Sequence, residues 1–396
     1  MSTFSGKIQE IPYISVDRFD GENLESQAYF LSHCHSDHMR GLTNKFVNEQ
    51  LVENSKYLYA SRVTCAILKK NYPNIESNLK ELDVNVSYII SLDNNTFTTT
   101  LIPAGHCPGS VMFLFESHST VLYTGDYRIH KNDLRKFNVF RGKTVDAVYL
   151  DTTFFLEEYP AFPARRDSLR ELVRIARDWL DRGQNHHVNL IVCANYGYEH
   201  LIRGISSELK TPVHVNQAAF EFYSLIPELD RSVTRDARAT RLHSKCRGFR
   251  EPVCVEDQPN CAVKSIKISA WQWRGEALAG GISSLDDDGL HRLCYSTHAS
   301  YEEGVALIEF LRPKRIEANV ERGEPQADKA MRELIERHLG MIGGGEEEEE
   351  RAEEAPKLFE LGGKRGKRER EQSFGSSSDE EAFEMPKRHT WWNGGG

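Results

Sequence analysis

Residues 33–38 read His33-Cys34-His35-Ser36-Asp37-His38, and they follow directly on the apolar run Ala28-Tyr29-Phe30-Leu31. Three imidazoles and a carboxylate within six positions are ligand chemistry for a borderline-soft divalent metal such as zinc. Side chains alternate along an extended chain, so His33 and His35 project from one face. Asp37 and His38 fall on the turn that follows and can point elsewhere. The pattern therefore calls for two metals side by side at a strand end, not one closed cage. Such a site needs further ligands from elsewhere in the chain.

A chain of 396 residues exceeds one small core, so two domains and a tail are expected. No apolar stretch approaches the ~20 residues of a membrane span. Met1–Lys7 lacks the apolar core of a secretory signal, which predicts a soluble protein made in the cytosol. The eight cysteines are scattered without C-x-x-C spacing. In a reducing compartment they suit buried thiols or metal ligands better than disulfides. The net charge of −9 excludes a generally basic nucleic-acid coat. Residues 341–396 hold nine basic and fourteen acidic residues, so they contribute −5 of it and leave the rest near balance.

Up to about residue 150 the chain reads as short apolar strands separated by turns. They are Ala28–Leu31, Tyr57–Ala60, Val86–Ile90, Thr98–Ile102, Val111–Phe115, Thr120–Tyr123 and Ala147–Leu150. From 165 to 182, Leu169, Leu172, Val173, Ile175, Ala176, Trp179 and Leu180 recur at helical spacing. Strands at Val188–Cys193 and Val213–Val215 then alternate with helices over 198–209 and 217–225, an α/β pattern. From about Gly340 come the acidic run Glu346–Glu350, the basic cluster Lys364–Arg370 and the polar stretch Ser376–Glu381. Such a segment cannot bury enough apolar surface to fold alone.

Two later residues match the needs of the histidine cluster. His106, in Ala104-Gly105-His106-Cys107-Pro108-Gly109-Ser110, lies in a tight loop after the strand Thr98–Ile102. Asp126, in Tyr123-Thr124-Gly125-Asp126-Tyr127, follows the strand Thr120–Tyr123.

In this order the motifs of residues 1–150 resemble the metallo-β-lactamase fold. The resemblance assigns His33, His35 and His106 to a first zinc, Asp37 and His38 to a second, and Asp126 to both. Asp17, in Ile14-Ser15-Val16-Asp17-Arg18-Phe19, matches the family's first motif and orders the ligand loop by hydrogen bonds. Two zinc ions ~3.5–4 Å apart activate a bridging water and clamp both oxygens of a displacement, for phosphodiesters, thioesters and β-lactams alike.

Val148–Phe154 and Cys294–Tyr301 resemble motifs A and B of the β-CASP nucleases, whose lactamase fold carries an inserted α/β domain. Ala28–His38, Leu101–Phe115, Val121–Arg128, Tyr196–Glu199 and Val213–Asn216 extend the resemblance to DNA-repair members, over roughly residues 1–325. The implied fold is α/β: a metallo-β-lactamase αββα sandwich, an inserted β-CASP domain and a disordered C-terminal tail. The implied boundaries are 1–154 for the first part of the lactamase domain, 155–290 for the insert, 291–340 for the return segment and 341–396 for the tail.

The resemblance makes His298 the general acid for the leaving oxygen, with Asp151 positioning it. At motif C, RNA-processing members carry a histidine that ligates the second zinc; this chain has Val320, as DNA-directed members do. DNA is thus the implied substrate, and the second zinc, held by Asp37, His38 and Asp126, the weaker one. Ser296 matches a residue lining a 5′-phosphate pocket, and Lys267 is a second candidate phosphate contact. Ser36 stands where the repair members carry a lysine. A structural zinc is implied in the insert on His214, His243, Cys246 and Cys261, with Cys254 as the alternative fourth ligand. Here His243-Ser244-Lys245-Cys246 is one residue longer than the family's H-x-C.

The function so implied is that of a zinc-dependent, monomeric DNA nuclease. It hydrolyses phosphodiesters at ends, hairpins and overhangs in double-strand-break repair by non-homologous end joining. Lys364–Arg370 reads as a nuclear import signal, and the repair members bind a DNA-dependent kinase and a DNA ligase through their tails. The alternatives are a 5′-exonuclease of the same family in interstrand-crosslink repair or telomere processing, and then an RNA-cleaving member. A different class is a non-catalytic repair scaffold.

Overall fold

The computed structural model describes residues 2–194, 196–229, 231–246, 261–275 and 280–353, with side chains as far as residue 342. Two sheets lie face to face at its centre. The first takes β1 (Ile14–Val16), β2 (Ala28–Leu31), β3 (Tyr57–Ser61) and β4 (Leu79–Leu82), all parallel and in that order. The second takes β5 (Ser87–Leu92), β6 (Asn95–Pro103), β7 (Val111–Glu116), β8 (Thr120–Tyr123) and β9 (Ala147–Leu150).

Period-two alternation of buried residues builds the layers. In β7, Val111, Phe113 and Phe115 enter the core between the sheets, while Met112 and Leu114 face outward. In β2, Ala28 and Phe30 face inward, and Tyr29 and Leu31 face outward. All four β2 residues are therefore buried, which explains an unbroken apolar run instead of an alternating one. Outside the first sheet lie α1 (Asn44–Phe46), the π-turn Val47–Glu53 that continues it, and α2 (Arg62–Asn71). The result is the αββα sandwich expected from the sequence.

After β9 the chain enters an insert. It contains α3 (Arg165–Leu180), β10 (His186–Val192), α4 (Glu199–Leu209), β11 (Val213–His214), α5 (Gln217–Tyr223), β12 (Val233–Thr234), β13 (Leu242–Ser244), β14 (Ala262–Ser269), β15 (Ser283–Leu285) and β16 (His291–Cys294). Its seven strands form one sheet in the order β12-β11-β13-β10-β14-β16-β15, parallel except for β15. The chain then returns to the sandwich with α6 (Tyr301–Leu311), β17 (Arg315–Ala318) beside β9, and α7 (Pro325–Glu353). Leu307, Ile308, Leu311, Met331, Leu334 and Ile335 of α6 and α7 cover the outer face of the second sheet.

Register carries the insert's sheet a strand past residue 290, where the resemblance put the boundary. His291 pairs with Ile266 and Cys294 with Ser269, so the insert's sheet runs to Cys294. A four-residue strand beginning His-Arg carries little apolar signal of its own. The tail features after residue 353 and Cys254 lie outside the described residues.

Candidate metal centre and active site

Four strands of the second sheet, β6, β8, β9 and β17, run in the same direction, so the loops after them leave at one edge. Those loops carry His106, Asp126, Asp151 and Val320. The loop after β2 reaches the same edge, where the Val111 amide donates to the Ser32 carbonyl at 3.1 Å. It brings His33, His35, Asp37 and His38. Gly125 is required where these loops meet. Its φ is +52°, and a Cβ there would stand 2.8 Å from Ser32 Oγ.

Four ligand atoms converge on one point. His35 Nδ1 is 3.0 Å from His33 Nε2 and 2.9 Å from His106 Nε2. Asp126 Oδ2 is 3.6 Å from His33 Nε2 and 3.5 Å from His106 Nε2. A tetrahedral ion with bonds of about 2.0–2.1 Å keeps its ligand atoms roughly 3.3 Å apart. The observed spacings fit that geometry.

The tautomers fit it too, because each histidine donates its other ring N–H outward. His33 Nδ1 lies 2.9 Å from Ser32 Oγ, which itself donates to Asp17 Oδ2. His35 Nε2 donates to the Tyr196 carbonyl at 3.3 Å, and His106 Nδ1 to the Thr297 carbonyl at 2.9 Å. Bare lone pairs are left facing one another, an arrangement that a cation between them relieves. Burial and the neighbouring imidazoles hold the pKa of His33 and His106 well below the ordinary value, and burial takes His35 down to about 4. All three are neutral at physiological pH, as ligands must be.

A second position lies beside the first. His38 Nδ1 donates to Asp17 Oδ2 at 2.8 Å, and its buried Nε2 faces Asp126. Burial lowers the His38 pKa, but the Asp126 and Asp17 carboxylates outweigh it and raise it well above the ordinary value while no cation takes the Nε2 lone pair. Asp126 Oδ1 is 3.2 Å from that Nε2 and Asp37 Oδ2 is 3.9 Å from it. Asp126 therefore turns one oxygen to each position. Burial alone would raise its pKa, but His38, His298 and His106 outweigh burial and hold it well below the usual carboxylate range. Val320 lines the cavity here with an apolar side chain, and Thr152 ties down its backbone.

Asp17 orders both positions. It is a buried non-glycine residue at φ 54°, and its carboxylate accepts from the Ser32 amide, Ser32 Oγ, His38 Nδ1 and Tyr123 Oη. Asp17→Asn replaces one acceptor oxygen by a donor and sets it against these donors. It is expected to lower metal affinity roughly 10- to 100-fold, measured on folded protein by competition with a chromophoric chelator.

The entry and exit of the insert meet at the same site. His298 Nδ1 lies 2.9 Å from Asp151 Oδ2, and His298 Nε2 is 3.9 Å from Asp126 Oδ2. Asp151 is itself fixed by the Thr153 amide and hydroxyl, at 3.0 and 2.6 Å, and by the Tyr127 amide at 3.3 Å. Burial lowers the His298 pKa, but the Asp151 and Asp126 carboxylates outweigh it and the net shift is upward. Ser296 lines the cavity and is buried. Its Oγ donates to the His298 carbonyl at 2.8 Å and accepts from the His298 amide at 3.1 Å, so it shapes the loop that carries His298.

The cavity is about 740 Å³ and is also lined by Ser36, Tyr196, Ala270, Trp271 and Thr297. Lys267 is not among its residues: it lies one alternation step back from Ser269 on β14, between Ile191 and Arg292 on the flanking strands. Tyr196 and Thr297 carry no sequence signal as orienters, because they act through backbone carbonyls that any residue supplies. Arg128, which donates to the Ser296 carbonyl at 2.9 Å and lies 3.4 Å from Glu303, was likewise missed.

A second cluster lies in the insert, at the ends of β11 and β13. His214 Nδ1 is 3.3 Å from His243 Nδ1 and 3.4 Å from Cys246 Sγ. His243 Nε2 in turn lies 2.9 Å from Nδ1 of buried His187. Cys261 is not brought there. It precedes β14 at the opposite end of the sheet, where Ala262 bonds to Asn185, so the proposed fourth ligand is corrected.

No family model matches the chain. Protein artemis of Gallus gallus is 36% identical over 355 residues, 84% of this chain and 49% of that protein. Protein artemis of Danio rerio is 36% identical over 413 residues, 97% of this chain and 62% of that protein. 5′ exonuclease Apollo of Mus musculus is 28% identical over 301 residues, 74% of this chain and 50% of that protein. The chain thus spans half to three fifths of the length of these relatives.

Proposed function

This chain is Artemis-like, with the αββα sandwich and insert described above, and we propose that it is a zinc-dependent nuclease acting on DNA. The observation that carries the reading is Asp126, with one oxygen toward His33, His35 and His106 and the other toward the buried Nε2 of His38. Zinc bound at these positions would supply an activated water and a Lewis acid at the phosphate oxygens.

The protein's own groups do the rest. His33, His35, His106 and Asp126 would hold the firmer metal, and Asp37, His38 and Asp126 the looser one, with room for a phosphate oxygen as a further ligand. His298 Nε2 carries a proton toward the reacting centre, and Asp151 fixes its ring and favours its charged form. The resemblance favours DNA over RNA, because DNA-directed members carry a valine where this chain has Val320 and RNA-processing members a histidine. We place the activity at DNA ends, hairpins and overhangs in end-joining repair, in the nucleus and as a monomer, with kinase and ligase partners bound by the tail. His214, His243 and Cys246 would hold a structural zinc with a fourth ligand other than Cys261. The second reading, favoured by the likeness to 5′ exonuclease Apollo, is a 5′-exonuclease.

The test is incubation of the purified full chain with end-labelled hairpin DNA, 5′-overhang DNA and matched RNA, with and without chelator. Cleavage of DNA that stops with chelator and returns with zinc is expected. Cleavage indifferent to chelator, or stronger on RNA, overturns the proposal. Mononucleotides released solely from a 5′-phosphate end select the exonuclease.

A further inference from the structure

The large apolar side chains left exposed among the described residues include Trp271, at 49% exposure, and it alone of them lines the metal cavity. It lies just past the C-terminal end of β14, beside the ends of β10 and β16, whose following residues Cys193, Ala194 and Tyr295–His298 line the same cavity. Its position is held by the backbone. The Trp271 amide donates to Ser269 Oγ at 3.3 Å, and its carbonyl accepts from Tyr159 Oη at 3.3 Å. The indole packs on buried Phe154, with ring centroids 4.8 Å apart, and meets Tyr159 edge-on at 6.5 Å. Phe154 is in turn 6.0 Å from the His298 ring, so a single ring separates Trp271 from the proposed proton donor.

Two arginines accompany the ring, and they share one carboxylate, Glu158, at 3.2 and 3.5 Å, which leaves a net positive charge. The Arg322 guanidinium lies 5.7 Å from the Trp271 centroid and 5.3 Å from that of Tyr159, and is held by the Thr153 carbonyl at 3.1 Å. The Arg274 guanidinium lies 5.4 Å from the Tyr159 centroid. A tryptophan kept half in water forgoes much of the stabilisation its burial would provide. A rigid aromatic ledge with arginines beside it is the surface that unpaired nucleobases stack on.

We infer that Trp271 stacks an unpaired nucleobase next to the phosphate being cleaved, so that single-stranded overhangs and hairpin tips are gripped by a base and not solely by their backbone. This rests on the nuclease reading but is tested apart from it. Binding is measured with the full chain, metal removed by chelation, and a 5′-overhang duplex carrying 2-aminopurine at successive overhang positions. The wild type is expected to quench 2-aminopurine at one or two positions. Trp271→Ala should lose that quenching and weaken overhang binding roughly 5- to 150-fold, while Trp271→Phe retains most of both. With metal restored, Trp271→Ala should raise KM on the overhang and leave kcat within about twofold. Equal quenching and affinity in wild type and Trp271→Ala overturn the inference even if both cleave DNA. If the wild type does not cleave DNA, the nuclease reading falls and the quenching result still decides the stacking role.

Discussion

Asp126→Asn is expected to reduce DNA cleavage by at least about 10⁴-fold, a loss of roughly 5–6 kcal/mol of transition-state stabilisation. The size follows from the geometry. Both oxygens are committed, Oδ2 at 3.5–3.6 Å from His106 and His33 and Oδ1 at 3.2 Å from His38. Asparagine keeps the shape but turns one of those oxygens into an amide donor. Whichever position receives the NH2 faces a donor where it needs a ligand. The negative charge that balances two divalent cations is lost as well. Metal analysis is therefore expected to show fewer bound ions per chain in the variant than in the wild type. The substitution is isosteric, so an unchanged circular dichroism spectrum separates lost chemistry from lost fold. Activity within tenfold of wild type would show that Asp126 does not join two positions.

The asymmetry between those positions has a structural cause. The first has four atoms within 3.6 Å of their neighbours, and each histidine's remaining N–H is held by a hydroxyl or a backbone carbonyl. The second has one well-held imidazole, one oxygen of Asp126, and Asp37. Asp37 is at the cavity wall, and its Oδ2 accepts from the Ser2 amide at 2.8 Å. A metal bound at such a site is expected to be lost first under chelation.

Much of this was legible in the chain because chemistry here follows strand ends. His33, His106, Asp126 and Asp151 each come a few residues after a buried strand, and apolar runs mark those strands well. What the sequence did not reveal is what depends on pairing. Cys261 and Cys246 look equivalent as letters, yet parallel pairing puts Cys261 at the start of β14 and Cys246 past the end of β13, at opposite ends of the sheet. Lys267 fails in a similar way: its strand ends at Ser269, and the cavity begins there. β4, Leu-Lys-Glu-Leu, went unread because both its central residues are exposed and charged at a sheet edge. The carbonyls of Tyr196 and Thr297 carry no letter at all. They show that the insert and the return segment set the tautomers of His35 and His106.

His298→Ala is expected to lower kcat roughly 10²- to 10⁴-fold, the contribution of a positioned general acid. Metal content should stay unchanged, because all six imidazole and carboxylate ligands remain. The pH profile identifies the role more sharply than the size of the loss. A general acid must be protonated, so activity is present below its pKa and falls as pH rises through it. In His298 the carboxylates of Asp151 and Asp126 outweigh burial and shift that pKa upward, so the alkaline limb of kcat/KM lies above the ordinary histidine value. Asp151→Asn removes the larger of the two raising influences and leaves burial in place. The limb is then expected to move to lower pH, with a loss of activity at pH 8 much greater than at pH 6. A base in the same place would give the opposite result, an acidic limb moving down and activity at pH 6 rising relative to pH 8. Profiles of wild type and Asp151→Asn at saturating zinc distinguish the two. An unmoved limb would mean that the 2.9 Å contact between His298 and Asp151 orients the ring without holding its proton.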